Sequence, residues 1–142
     1  MILQSFFIPC DPPTTTAQQK GAFVCGGKVR FFKKKKVKQA ENTLIDLFKG
    51  HAPKQPHEGA LKVTISLYFP FRKTEHKAEL LAGISCHTSR PDFDNLSKML
   101  CDTLTTLCFW RDDGQISDGR IIKRRAKQTG IEVTIERDTV EV

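Results

Sequence analysis

Four aspartates are the residues of this sequence best equipped for chemistry. Asp92 and Asp94 stand one residue apart in RPDFDNLSK, and Asp112 and Asp113 are adjacent in FWRDDGQ. Carboxylates are hard oxygen donors suited to Mg²⁺ or Mn²⁺, which keep coordination positions open for water and phosphate. Three or four of them brought together repel one another and are tolerated only with a cation, a proton or solvent between them. Each pair also has a plain structural reading. Asp94 is a good N-cap for the apolar stretch that follows, and Asp94 to Lys98 is the i,i+4 spacing of a helical ion pair. D-D-G is ordinary turn chemistry. Taken alone, the D-x-D spacing does not choose between a cap and a metal site. Asp102, eight residues beyond Asp94, reads as part of a solvated helix face.

The elements that must position these residues are legible from apolar periodicity. Leu96, Met99, Leu100, Leu104 and Leu107 recur at helical spacing behind the D-x-D pair, so FWRDDGQ falls in the turn after that helix. A first amphipathic helix is marked by Val37, Ala40, Leu44, Leu47 and Phe48, with Gly50 as its stop. LKVTISLYF alternates with period two, Leu61, Val63, Ile65, Leu67 and Phe69 on one face, and is a strand with one buried side. Strands are also expected at Ile2 to Ile8, at ISCHTS, at RIIKRRAK and at IEVTIER, the last two joined around Thr129-Gly130. AFVCGGKVRFF reads as a hairpin turning at Gly26-Gly27. Phe31 and Phe32 suit core packing or a place beside a phosphate. Residues 70–82 are ambiguous, with a helical turn at KAELLA. This order predicts one α+β domain over residues 1–142: a mixed, mostly antiparallel sheet with two main helices.

Bulk properties narrow the partners. The chain has 142 residues, a formal charge of +7 and 39% hydrophobic residues, as a soluble domain with one core would have. The basic charge is clustered. Eight Lys and Arg and no acid lie between Lys20 and Lys38, and five more between Gly119 and Lys127. Clustering favours a phosphate-binding surface, nucleic acid first. Five cysteines with no C-x-x-C pair predict reduced thiols and a cytoplasmic protein, and His51, His57, His76 and His87 are too scattered to pair with a nucleophile. No apolar run reaches the length of a membrane helix, and the N-terminus does not read as a signal peptide.

The stretch from Arg90 to Glu136 closely resembles the RusA family of Holliday junction resolvases. The resemblance rests on Pro91-Asp92-Phe93-Asp94-Asn95-Leu96-Ser97-Lys98, on Asp102-Thr103-Leu104, on Phe109-Trp110-Arg111-Asp112-Asp113-Gly114-Gln115 and on the basic strand from Lys123 to Lys127. It departs from the family's pattern near the N-terminus, where IPCDPPTTTAQQKG stands. It also departs at Cys108 and Gly114, where Gly and Ala are more usual. The resemblance implies metal-binding carboxylates at Asp92, Asp94 and Asp113, a functional lysine at Lys98 and a supporting acid at Asp112. It implies Mg²⁺, with Mn²⁺ as a substitute, and metal-assisted hydrolysis of a phosphodiester to a 5′-phosphate and a 3′-hydroxyl. The partner so implied is a four-way junction, cut symmetrically by a homodimer of bacterial or prophage origin. Lys28, Arg30, Lys33, Lys34, Arg90, Arg120, Lys123, Arg124, Arg125 and Lys127 are then the expected contacts to flanking DNA backbone. Two other readings stay open at this point: a non-catalytic basic DNA-binding protein whose aspartates only cap and turn, and a nuclease of the same chemistry acting on other branched DNA.

Overall fold

The structure, a computed structural model, describes residues 1–15, 20–33 (backbone only at 20–23, 25 and 31–33) and 35–141. Its elements run β1 (Ile2–Pro9), β2 (Lys20–Cys25), β3 (Lys28–Lys33), α1 (Lys35–Lys49), β4 (Leu61–Phe69), α2 (Lys77–Ala82), β5 (Ile84–Cys86), α3 (Phe93–Thr106), a 3₁₀ turn (Asp113–Gln115), β6 (Ile116–Ala126) and β7 (Gly130–Arg137). The expected α+β class, its mixed sheet and its two main helices are all present. Among the described residues no helix is long and apolar enough to cross a membrane.

Five strands form one sheet in the order β1-β7-β4-β6-β5. Only β4 and β6 are parallel; the other neighbours are antiparallel. A parallel pair needs a long crossover. Here it runs through α2, β5 and α3, and so places α3 against the sheet between the two strands that it joins. Helices α1 and α3 touch each other. Their apolar stripes, Leu44 and Phe48 from α1 and Leu96, Leu100 and Leu104 from α3, meet Leu61, Val63, Ile65 and Leu67 of β4 and Ile131, Val133 and Ile135 of β7. All of these are buried. The period-two alternation of β4 and the helical stripes thus face each other as two layers around one core.

The hairpin β2–β3 is a separate two-stranded sheet. Gly26 and Gly27 both have positive φ, 59° and 77°, the conformation that tight hairpin turns require. Lys34 lies outside the described residues, and Lys33, Phe31 and Phe32 are described by backbone alone, so the readings made for them at side-chain level fall outside the description.

Candidate active site

Helix α3 carries the D-x-D pair differently from the capping reading. The N-cap is Asp92, not Asp94, and it makes no side-chain capping hydrogen bond. Asp94 sits inside the first turn. Lys98 does not bridge to Asp94 either: its Nζ lies 3.2 Å from Asp102 Oδ2, one turn further along, with both side chains more than half exposed. The helix therefore uses Asp102 to hold Lys98 and, among the described residues, leaves the carboxylates of Asp92 and Asp94 without a hydrogen-bond or ion-pair partner. An exposed i,i+4 pair is worth only about 0.3–0.5 kcal/mol, so Lys98 can leave Asp102 for a phosphate at small cost.

The loop that leads into α3 is anchored from below by β6. In the β4–β6 register Leu67 lies beside Lys123 and Phe69 beside Arg125, so both cations share the inward side of Ile121. Lys123 Nζ donates to Ser89 O at 2.7 Å and to Pro91 O at 2.6 Å. Burial pushes its pKa down, the Asp92 carboxylate pulls it back up, and Arg125 pushes it down again. Lys123 is thus a cation already bonded to the backbone just before α3. Arg125 donates to Pro70 O at 3.0 Å and to Ser89 Oγ at 2.9 Å. It also lies 3.5 Å from Glu75, whose carboxylate is 2% exposed and pairs with Arg72 at 2.8 Å. The hydrogen bond from Arg72 holds Glu75 down to about 2 against its burial. His87 closes the loop's other side. It is buried, its ring meets Phe69 edge-on at 4.6 Å, and its Nδ1 accepts from Ser89 N at 3.3 Å. Burial first, then Arg125, Lys123 and Arg72, lower its pKa to about 4, with Glu75 opposing.

The second acidic motif is held just as firmly. Phe109 and Trp110 are fully buried, and Trp110 Nε1 donates to Thr105 Oγ1 at 2.7 Å. These two rings pin the chain to the end of α3. Gln115 then locks the turn. Its Oε1 accepts from Arg111 N at 2.8 Å and Asp112 N at 3.2 Å, and its Nε2 donates to His57 O at 3.0 Å and Gly59 O at 3.1 Å. Asp112 Oδ1 accepts from Gly114 N at 3.1 Å and completes a capping box with Gln115. Asp112 therefore shapes the turn, and Asp113, the first residue of the 3₁₀ turn, stays exposed. Asp113 faces α3. The Cys101 thiol is pushed up by burial and then by the charges of Asp113 and Asp102, and Cys101 lies two turns along the same helix face as Asp94.

The expected catalytic residues are therefore spread along and beyond α3: Asp92 and Asp94 at its start, Lys98 one turn in, and Asp113 in the following turn, near enough for its charge to act on Cys101. They are not closed around one point. Among the described residues no three of His, Cys, Asp or Glu stand close enough to hold a metal ion. The donor chemistry fits a hard divalent cation, since among the described residues the carboxylates of Asp92 and Asp94 have no hydrogen-bond partner.

The expected DNA-facing cations divide into two groups. Lys28 and Arg30 on the hairpin, Arg90 before α3, and Arg120 and Lys127 on β6 and just beyond it are exposed. Lys123 and Arg125 instead spend their donors on the loop before α3. Arg124 is half-buried, with Nη1 donating to Lys123 O at 3.1 Å. Alternation along RIIKRRAK carried the signal for Lys123 and Arg125: both stand two-residue steps from the inward Ile121. The longer-range roles of Gln115 and His87 are not readable without the fold, since His57 and Gly59, and Phe69, lie on other elements.

Comparisons with known proteins place the chain in a family. Residues 12–136 match the family described as Endodeoxyribonuclease RusA. The chain is 29% identical over 118 residues to the Crossover junction endodeoxyribonuclease rusA of Lactococcus phage r1t, covering 78% of this chain and 80% of that protein. Over 56 residues it is 43% identical to the Crossover junction endodeoxyribonuclease RusA of Escherichia coli (strain K12) and to that of Enterobacteria phage 82. That match covers 37% of this chain and 47% of each relative, so the chain spans about half the length of these two. With the family matched across both acidic motifs and the strands that flank them, the chain belongs to the RusA endodeoxyribonuclease family.

Proposed function

We propose that this protein is a divalent-metal-dependent endonuclease that resolves four-way DNA junctions. The observation that carries the reading is the pair of uncommitted carboxylates, Asp92 and Asp94, at the start of a helix that Lys123, Arg125 and His87 hold in place. A fold that needed these aspartates only as caps would use the side chain of at least one of them to accept a capping hydrogen bond, and Asp92 holds the cap position without one. Relatives named crossover junction endodeoxyribonucleases supply the substrate class.

With Asp113 drawn in from where it stands in this structure, Asp92, Asp94 and Asp113 would hold Mg²⁺ or Mn²⁺. When bound, such an ion acidifies water and neutralises charge on phosphoryl oxygens. The chain's own part is to orient and to balance charge. Lys98, freed from Asp102, presents an ammonium to the scissile phosphate or to the leaving oxygen, where negative charge develops. Asp112 and Gln115 keep Asp113 from turning away. Arg90, Arg120 and Lys127, with Lys28 and Arg30 of the hairpin, take flanking phosphates and set position without reading sequence. Symmetric cutting of a junction calls for two such sites, supplied by a two-fold dimer.

The test is a synthetic four-way junction labelled on each strand, incubated with and without Mg²⁺. The reading expects paired nicks on opposing strands, with 5′-phosphate and 3′-hydroxyl ends, only when the metal is present. Binding without nicks across a series of Mg²⁺ and Mn²⁺ concentrations would leave a non-catalytic DNA-binding protein.

A further inference from the structure

Phe93, the residue between the two aspartates, is 57% exposed. It is the first residue of α3, and its ring stands between two recesses. One, about 190 Å³, runs against Val63, Ile65 and Ile121 beneath the helix. The other, about 340 Å³, opens beside Arg120, Lys123 and Arg124. A large apolar ring in solvent adds nothing to the core. Here it also stands between Asp92 and Asp94 in sequence and lines a recess shared with cations. A ring for the π-face of a base, with a cation for its phosphate, is the combination by which proteins hold single-stranded or extruded nucleotides.

The cations of the recess are not equivalent. Lys123 is already bonded to Ser89 O and Pro91 O, and Arg124 to Lys123 O. Arg120 is exposed and has no ion-pair partner among the described residues. It is the guanidinium available to a phosphate.

We infer that Phe93 stacks on a nucleobase unpaired at the branch point while Arg120 takes the adjoining phosphate, so that Phe93 confers the preference for branched over linear DNA. The inference rests on the proposed function and names what that site recognises. A continuous duplex offers no free base face unless a pair is broken. At the exchange point of a junction base stacking is interrupted, and a base can be taken up at lower cost. The cut is then made beside a base that Phe93 holds out, with its phosphate delivered towards Asp92 and Asp94.

Two readouts test this. The first is binding without divalent metal to a junction carrying 2-aminopurine at the exchange point. Wild-type protein raises the probe's fluorescence severalfold, Phe93→Ala binds without the rise, and Arg120→Gln weakens binding. The second is single-turnover cleavage in Mg²⁺. Phe93→Ala slows cutting of an intact junction about ten- to a hundredfold, the range that a base–aromatic stack commands. The same variant cuts a junction with mismatched pairs at the exchange point within about threefold of wild type, because there the base is already free. Phe93→Tyr restores intact-junction cutting. An equal fluorescence rise with Phe93→Ala, or equal slowing on both junctions, overturns the inference. A wild-type protein that nicks nothing but still gives the Phe93-dependent rise overturns the nuclease reading and leaves base stacking standing.

Discussion

Replacing Lys123 by methionine separates two roles for a cation that its sequence context alone would assign to DNA. The methionine keeps most of the aliphatic volume and removes the ammonium, so the carbonyls of Ser89 and Pro91 lose their donor. A hydrogen bond from a charged group is worth about 1.5–3 kcal/mol, and an acceptor left dry costs more than one that water can reach. The Ser89 carbonyl bond is exposed and the Pro91 bond part-buried, so water recovers most of the first and little of the second. The expected loss is about 2–3 kcal/mol of unfolding free energy, read from urea midpoints at unchanged m-value. Cleavage should fall further than stability does, because the loop that Lys123 ties down sets the position of Asp92. The slope of log affinity against log salt should stay as in wild type, whereas losing a phosphate contact would flatten it by about 0.9. A Lys123→Met protein of wild-type stability with a flattened slope would refute the anchoring argument and return Lys123 to the DNA surface.

The remaining predictions are more local. Lys98→Ala should cost about 0.3–0.5 kcal/mol, the worth of its exposed pair with Asp102, yet slow single-turnover cleavage by orders of magnitude; cutting within a few-fold of wild type would make Lys98 a surface residue only. Cys108 has φ 60°, so Cys108→Gly should relieve left-handed strain and stabilise the protein by about 0.5–1 kcal/mol after the added chain entropy of glycine, seen as a raised thermal midpoint; a lowered midpoint would count against it. The folded pKa of His87 lies at about 4, below its ordinary 6.5. The unfolded chain therefore takes up the proton first, and this part of the stability, complete above pH 6.5, is lost as pH falls towards 4. Glu75, held at about 2 against an ordinary 4.5, adds a second loss below pH 4.5, and His87→Gln should remove the first step and keep the second.

The sequence was most readable where one periodicity dominated. β4 and the stripes of α1 and α3 follow their apolar spacing because a single buried face fixed every second or every third to fourth residue. The cap of α3 was misplaced by two residues. Asp92 and Asp94 are equally good caps by type, and only the extended backbone at Asp92, φ −66° and ψ 148°, shows which one begins the helix. Lys98 had acids four residues away on both sides, and its choice of Asp102 depends on rotamers rather than on spacing. RIIKRRAK reads as a basic strand, but Lys123 and Arg125 point inward, where the β4–β6 register sets them under the loop before α3. That register joins residues more than fifty positions apart and leaves no local mark. The acidic site divides in the same way: its residues could be named from motif spacing, while the clamp formed by Gln115, the anchor formed by Lys123 and the buried Glu75–Arg125 pair belong to the tertiary structure alone.

On the proposed function, Asp92 and Asp94 are kept free to hold a metal ion for phosphodiester cleavage, with Asp113 as their third partner. The most direct measurement sets Asp92→Asn, Asp94→Asn and Asp113→Asn beside wild type on one four-way junction, with binding followed in the absence of metal and single-turnover nicking followed across a Mg²⁺ titration. All three variants should fold and bind the junction at least as tightly as wild type, since each removes a negative charge beside the DNA. No nicking, or nicking only at much higher Mg²⁺, is expected in each of them. Near-wild-type nicking by Asp92→Asn or Asp94→Asn at ordinary Mg²⁺ would contradict the proposed function.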